Sequence, residues 1–293
     1  MTMDDNKLYN ALLKSQEEQR QLALKRGEAK PEENFRKERP YAGSDSHKPN
    51  WVRIDTQPEE HPPTVYDASV SLGLIANPRP WTREQLRERK IIYPGMADKE
   101  VMDAYRELRI QLRNRAGEEG FALLFSSLGN QGGSLLTAFN LAAAFAMDSH
   151  TAALLVDCDP YHQELQPLVS TTLKAGVTDY VSDSACDVKD ILYPSGVERL
   201  SVIPAGTQAS SAVELFSSVR MRELMKELKG RYPDRCIIVN APPFRTNTEA
   251  RILERFCDQV VFSIPFGEVS GEEINESVDA LDSGKFSGLV FQE

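Results

Sequence analysis

No stretch of this 293-residue chain reaches the roughly 18–20 apolar residues that a bilayer-spanning helix needs. The opening residues, MTMDDNKLYNALLKSQEEQR, carry no apolar h-region, so no secretory signal is expected there. Cysteine is scarce. Cys158, Cys186, Cys236 and Cys257 are far apart, form no C-x-x-C pair and lack metal-ligand spacing, so neither a disulfide framework nor a metal site is expected. Reduced thiols and the missing signal point to a cytoplasmic protein. Basic residues are outnumbered, 34 Lys and Arg against 44 Asp and Glu, for a net charge of −10. That balance argues against a general nucleic-acid binder and against bulk adsorption to anionic lipid. One local absence proves more informative: no lysine occurs between Lys99 and Lys174.

The residues present are 41% hydrophobic and 27% charged, enough for a sizeable core. Residues 1–26 read as an N-terminal helix, with Leu8, Tyr9, Leu12 and Leu13 on one side. It is either a solvated helix or a docking helix for a partner. Residues 27–80 are polar and broken by proline (KPEENFRKERP, QPEEHPP) and read as a flexible, disordered linker in which Trp51 and Tyr66 could dock on the core. Thr82 is a plausible N-cap for a short basic helix. Residues 81–293 form the remaining domain, and its strong periodicity starts near Lys99. Val101, Tyr105, Leu108 and Leu112 recur at helical spacing as a core-facing stripe. Strand-length apolar runs follow: FALLF, AALLVD, LSVIP, CIIVN, QVVFSI and GLVF. Helical patterns lie between them near Leu135–Met147, Val219–Gly230, Glu249–Phe256 and Gly271–Asp282. Alternation of this kind predicts an α/β fold, a mostly parallel sheet flanked by helices.

Ligands of open α/β sheets bind beyond the carboxyl ends of the strands. After FALLF come Gly129, Asn130, Gln131, Gly132, Gly133, Ser134 and Leu135, a Gly-rich turn into a helix, where a phosphate loop sits. The next strand ends at Asp157 and Asp159, which could hold Mg²⁺, polarise a water or simply form a turn. The CIIVN strand ends at Asn240.

Taken together, the helix DAYRELRIQL, the helix TAFNLAAAFA, LLVDCDP, GVTDYV, LSVIPAG followed by ELFSS, CIIVNAPP followed by Glu249-Ala250, and CDQVVFSI resemble the bacterial tyrosine kinases of capsule and exopolysaccharide synthesis. These belong to the deviant-Walker P-loop ATPases, alongside the Min and Par proteins. The resemblance runs from Lys99 to Gln292 and implies a P-loop NTPase-like fold that uses ATP and Mg²⁺. It also exposes departures. Anchoring on Asn140-Leu141-Ala142 puts Ser134 where the family has its invariant Lys and Leu135 where it has the Mg²⁺-binding Ser or Thr. A shift by one residue puts Gly133 at the Lys instead. Asp157 and Asp159 keep the family's carboxylate pair, but Tyr161 and His162 replace the basic residues beyond it, and Asn240 replaces the Walker-B Asp. ASSAV stands where Asn and Pro are usual. Asp103-x-x-Arg106-x-x-Arg109 matches the E-x-x-R-x-x-R motif that links subunits in family rings, with Asp for Glu, and is expected on the side of its helix away from the stripe.

Phosphoryl transfer depends on fixed cations around the β- and γ-phosphates, so these losses compound. The expectation is a catalytically degenerate kinase-like protein with no functional catalytic residue and no required cofactor, Asp157, Asp159 and Asn240 being remnants. It would serve as a regulatory or scaffold partner of a membrane polysaccharide co-polymerase (the Wzz-like kind), meeting that protein's cytoplasmic segment, itself or an active homologous kinase. Recruitment to the inner face of the plasma membrane follows from that partner. The alternatives are an active ATP-dependent tyrosine autokinase and a Min- or Par-like positioning ATPase. No tyrosine follows Tyr232, whereas family members carry a tyrosine-rich tail; Tyr9, Tyr41 and Tyr66 could still be substrates of another kinase. The purified chain incubated with ATP and Mg²⁺ should therefore gain no phosphotyrosine by mass spectrometry, and tyrosine phosphate appearing in the isolated protein contradicts the expectation.

Overall fold

The computed structural model describes residues 79–117, 120–129, 134–148, 151–207, 212–231 and 235–292. The readings placed on residues 1–78, and on Asn130, Gln131, Gly132 and Gly133 of the loop, lie outside the described residues.

Strands β1 (Phe121–Ser127), β2 (Ala152–Asp157), β3 (Tyr193–Pro194), β4 (Leu200–Ile203), β5 (Arg235–Ala241), β6 (Gln259–Pro265) and β7 (Phe286–Gln292) form one sheet in the order β3-β4-β2-β5-β1-β6-β7. Every pairing is parallel except that of β3 with β4. β1, β2, β4 and β5 are buried along their whole length, as expected for strands covered on both faces. The short β3 carries no periodic signal, and a strand containing proline belongs at a sheet edge, where it lies.

Side chains alternate across the sheet, so one strand feeds two cores. Phe121, Leu123 and Phe125 of β1 pack with α1 (Arg83–Glu88), α2 (Lys99–Ala116) and α3 (Ser134–Ala146). Ala122 and Leu124 face the other layer, built by α4 (Val177–Ser182), α5 (Val188–Ile191), α6 (Ala212–Ser217), α7 (Val219–Arg231), α8 (Thr248–Glu254) and α9 (Gly271–Asp279). Helices α4, α5 and α6 are shorter than a periodic pattern can announce. Two of the family-like segments meet here: the Val177 and Thr178 amides donate to the Pro204 and Ala205 carbonyls at 2.9 Å each. Gly206 closes that contact with φ +95°, and a Cβ there would collide with the Thr178 side chain.

Two expectations need correction. Order begins upstream of Lys99. Thr82 caps α1 in a capping box with Gln85, and Ile91 and Ile92 are both 1% exposed in the core. Asn140 of α3 fixes that segment, accepting from the Ile92 amide at 3.0 Å and donating to the Lys90 carbonyl at 2.9 Å. And α2 buries the expected stripe at Tyr105, Leu108 and Leu112 but not at its first position. Val101 is exposed, and Met102 packs with Tyr105, Leu108 and Leu112 instead. The buried face is thereby turned toward Arg109. Val and Met at successive positions both satisfy a helical pattern, and only packing against α3 chooses between them. Met102→Ala should cost roughly 2–5 kcal/mol in denaturant unfolding, whereas Val101→Ala should stay within about 0.5 kcal/mol of wild type. The reverse order would restore the Val101 stripe.

Candidate functional site

β1, β5 and β2 are neighbours at the centre of the sheet, and their carboxyl ends define the site. In the β2–β5 register Asp157 lies opposite Asn240. Paired residues of parallel strands project to the same side, and the alternation sends both toward α3. The helix α3 starts at Ser134, and a closed chain results: the Ser134 hydroxyl donates to Asn240 Oδ1 at 2.9 Å, and Asn240 Nδ2 donates to Asp157 Oδ1 at 2.9 Å. Ser134, Asn240 and Asp157 are 4%, 1% and 1% exposed. Among the described residues of the loop, Ser134 is thus the one that meets Asn240.

Asp157 Oδ1 also accepts the Asp159 amide at 3.1 Å. Burial pushes the Asp157 carboxyl up to about 7, against the downward pull of the Asn240 amide. Asp159, itself buried, holds the following turn. Its Oδ1 accepts from the Tyr161 amide at 3.0 Å and the His162 amide at 3.3 Å, and its Oδ2 lies 2.9 Å from His162 Nδ1. Both carboxylates are therefore engaged with the protein, and turn formation accounts for Asp159. Leu135, 3% exposed, offers only hydrocarbon. Gly129 donates its amide to the Ser127 hydroxyl at 3.0 Å as the chain leaves β1.

Tyr161 and Glu249 meet in a way that the sequence did not announce. The Tyr161 hydroxyl donates to the buried Glu249 carboxylate. Burial and then Glu249 push the Tyr161 phenol up to about 12, so it stays a donor. The two are 88 residues apart, and no spacing rule links them. Beside Asp157, a cleft of about 160 Å³ opens between Gln163, Lys174, Gly206 and Thr207. It is smaller than the roughly 300–1,000 Å³ typical of small-molecule sites. No three His, Cys, Asp or Glu side chains among the described residues gather as a metal-ligand group.

The ring-motif residues lie away from this centre and do not act alike. Asp103 and Arg106 form an exposed ion pair at 3.0 Å, while Arg109 donates to the Ala144 carbonyl at 2.9 Å. Arg109 is therefore partly withdrawn from solvent and ties α2 to the last turn of α3. This corrects the expectation of three residues on one solvated side, and follows from the rotation of α2.

A carboxyl raised by folding supplies stability fully below its unfolded pKa and loses it as pH rises through its folded value. Asp157 should therefore destabilise the fold progressively up to about pH 7. Asp157→Asn removes the titration but keeps an oxygen for the Asn240 amide. Its melting temperature relative to wild type should rise from about pH 5 to about pH 8. A difference that does not change with pH would mean that Asp157 is not desolvated.

No family model matches the chain. Curated relatives do. Over 185 residues it is 25% identical to the tyrosine-protein kinase CpsD of Streptococcus agalactiae, covering 61% of this chain and 77% of that one. Over 230 residues it is 23% identical to the tyrosine-protein kinase wzc of Salmonella typhi, covering 76% of this chain and 31% of that longer one. Among solved structures, the kinase domain of the Escherichia coli tyrosine kinase ETK superposes with a TM-score of 0.61 at 21% identity, over 73% of this chain and 88% of that one. The chain is thus similar in sequence to bacterial tyrosine-protein kinases, and its mostly parallel sheet flanked by helices is the P-loop ATPase-like fold of their kinase domains.

Proposed function

We propose that this chain is a catalytically degenerate member of its family, working as a regulatory or scaffold partner of a membrane polysaccharide co-polymerase at the cytoplasmic face of the plasma membrane. The observation that carries this reading is the closed Ser134–Asn240–Asp157 hydrogen-bond chain. At positions where the resemblance calls for a phosphate-binding Lys and a metal-binding carboxylate stand a hydroxyl and a neutral amide. Each spends its hydrogen bonds on the protein.

ATP and Mg²⁺ do not suit these residues. Magnesium demands hard oxygen ligands in near-octahedral array. Leu135 has none, and the Asn240 side-chain oxygen is already accepting from Ser134. No lysine from this stretch is available to neutralise the phosphates. Losing one electrostatic stabiliser costs ~3–4 kcal/mol of transition-state energy, and here several are gone together. No phosphoryl-transfer step is therefore assigned.

The assembly role rests on what remains. Asp103 and Arg106 stand exposed on α2, on the face of the sheet that carries α3, and offer a contact for a second copy, an active homologous kinase or the co-polymerase's cytoplasmic segment. Arg109 backs that surface by holding α2 to α3. Among the described residues no helix is long and apolar enough to cross a membrane, so attachment falls to the partner. The names of the relatives favour a second reading, an active tyrosine kinase, and one titration separates the two. Calorimetry should give no ATP–Mg²⁺ binding tighter than about 0.1 mM, while a co-polymerase cytoplasmic segment binds and Arg106→Ala weakens it. Micromolar ATP–Mg²⁺ binding would replace the scaffold reading with the kinase one, and failure of the segment to bind would remove the scaffold.

A further inference from the structure

The layer of α7, α8 and α9 lies on the opposite face of the sheet from α2, and its surface charge is sorted. On α7, Arg222, Lys226 and Lys229 follow each other at four and three residues, so they form one stripe along a helix flank. On α9, Glu272, Glu276 and Asp279 repeat the same spacing. One stripe is wholly cationic and the other wholly anionic. Each runs over eight residues, about 10 Å of helix.

The stripes sit differently on their helices. α7 buries Met221, Leu224, Met225 and Leu228, which turns its basic stripe sideways toward the end of α8. There Arg255 and Phe256 complete a shallow, open depression with Arg222, Lys226 and Lys229. α9 packs inward through Ile274, Ser277 and Val278, so its acidic stripe is the outermost ridge. Glu223 lies about 60° around α7 from Lys226 but faces Arg220, at 4.0 Å, and Glu227 lies a quarter turn or more from each cation.

These charges are not used inside the molecule. Lys229 is shared with Asp258, at 2.9 Å to each oxygen. Arg222, Lys226 and Arg255 pair with no carboxylate, and Glu272, Glu276 and Asp279 pair with no cation, among the described residues. We infer that a second copy of this chain docks here, the acidic α9 ridge of one copy lying in the basic α7–α8 depression of the other. Ridge and depression are on the same face of the sheet, so a single two-fold axis satisfies both at once and closes the assembly at a dimer. A copy of the chain fits better than an anionic bilayer. Lipid would leave the α9 carboxylates facing like charge, whereas a second copy gives each stripe a partner of opposite sign. The contact is separate from the one proposed on α2 and survives its failure.

Charge reversal tests it. The full chain should sediment as a reversible dimer whose dissociation constant rises at least about tenfold between about 0.05 M and about 0.5 M salt. Arg222→Glu with Lys226→Glu, and separately Glu272→Lys with Glu276→Lys, should each weaken self-association at least about tenfold. All four positions are exposed, so circular dichroism and melting should match wild type. Mixing the two variants should restore a dimer of one of each, because the first then presents only acidic stripes and the second only basic ones. Arg106→Ala should leave this dimer intact. A wild type that stays monomeric at about 0.1 mM in low salt, or a mixture of folded variants that does not associate, overturns the proposal. So do species larger than a dimer in a mixture of the two variants that each also carry Arg106→Ala, or a monomer that binds vesicles rich in phosphatidylserine.

Discussion

The structure turns on one buried carboxylate. Asp157 lies at the centre of the sheet, at the carboxyl end of β2, with almost no contact with water. A charge in that position must be paired, bonded or neutralised. Here the Asn240 amide and the Asp159 N–H serve it, and burial still lifts its pKa to about 7. An Asp at 240 would set a second carboxylate opposite the first, in register and equally dry. Like charges so close cannot both ionise without a cation. On the proposed reading, Asn240 and the missing Lys belong together: one negative and one positive charge are gone, and Ser134, Asn240 and Asp157 hydrogen-bond one another instead. The same bonds tie the first turn of α3 to β5 and β2, so the nucleotide end of the fold doubles as a structural clasp.

Away from the strand ends, the molecule offers two outward faces of different character. The α2 face is held by Arg109, whose guanidinium reaches the end of α3 and fixes how Asp103 and Arg106 are presented. The α7–α9 face carries unpaired charge of both signs, laid out at matching helical spacing. Surface ion pairs within one chain contribute little, about 0–1 kcal/mol each. Charges left unpaired by the fold cost little to keep and remain free for a neighbour. Two faces on opposite sides of one sheet would let the chain make two independent contacts.

Much of the fold was legible in the sequence, and the limits of that reading were local. The long helices and buried strands announced themselves because burial imposes periods of 3.6 and 2 over many residues. β3 and the short helices α4, α5 and α6 did not, since two to six residues are too few to show a period. α2 was misread at a single position. Val101 and Met102 are equally good candidates until α3 is packed against them, and that single step moved Arg109 from the solvated side to the edge of the core.

What the sequence determined by itself was the order of the long helices and buried strands, the mostly parallel sheet, and the residue types that stand at the strand ends. These depend on short-range pattern and on residue type. What only the tertiary structure decided was which of those groups meet. Ser134 and Asn240 are 106 residues apart, Asn240 and Asp157 are 83, and Tyr161 and Glu249 are 88. Their hydrogen bonds follow from strand register and from the side of the sheet on which α3 lands. The raised pKa of Asp157 follows from desolvation, which no local pattern contains, because it is set by everything packed around the group and not by its neighbours along the chain.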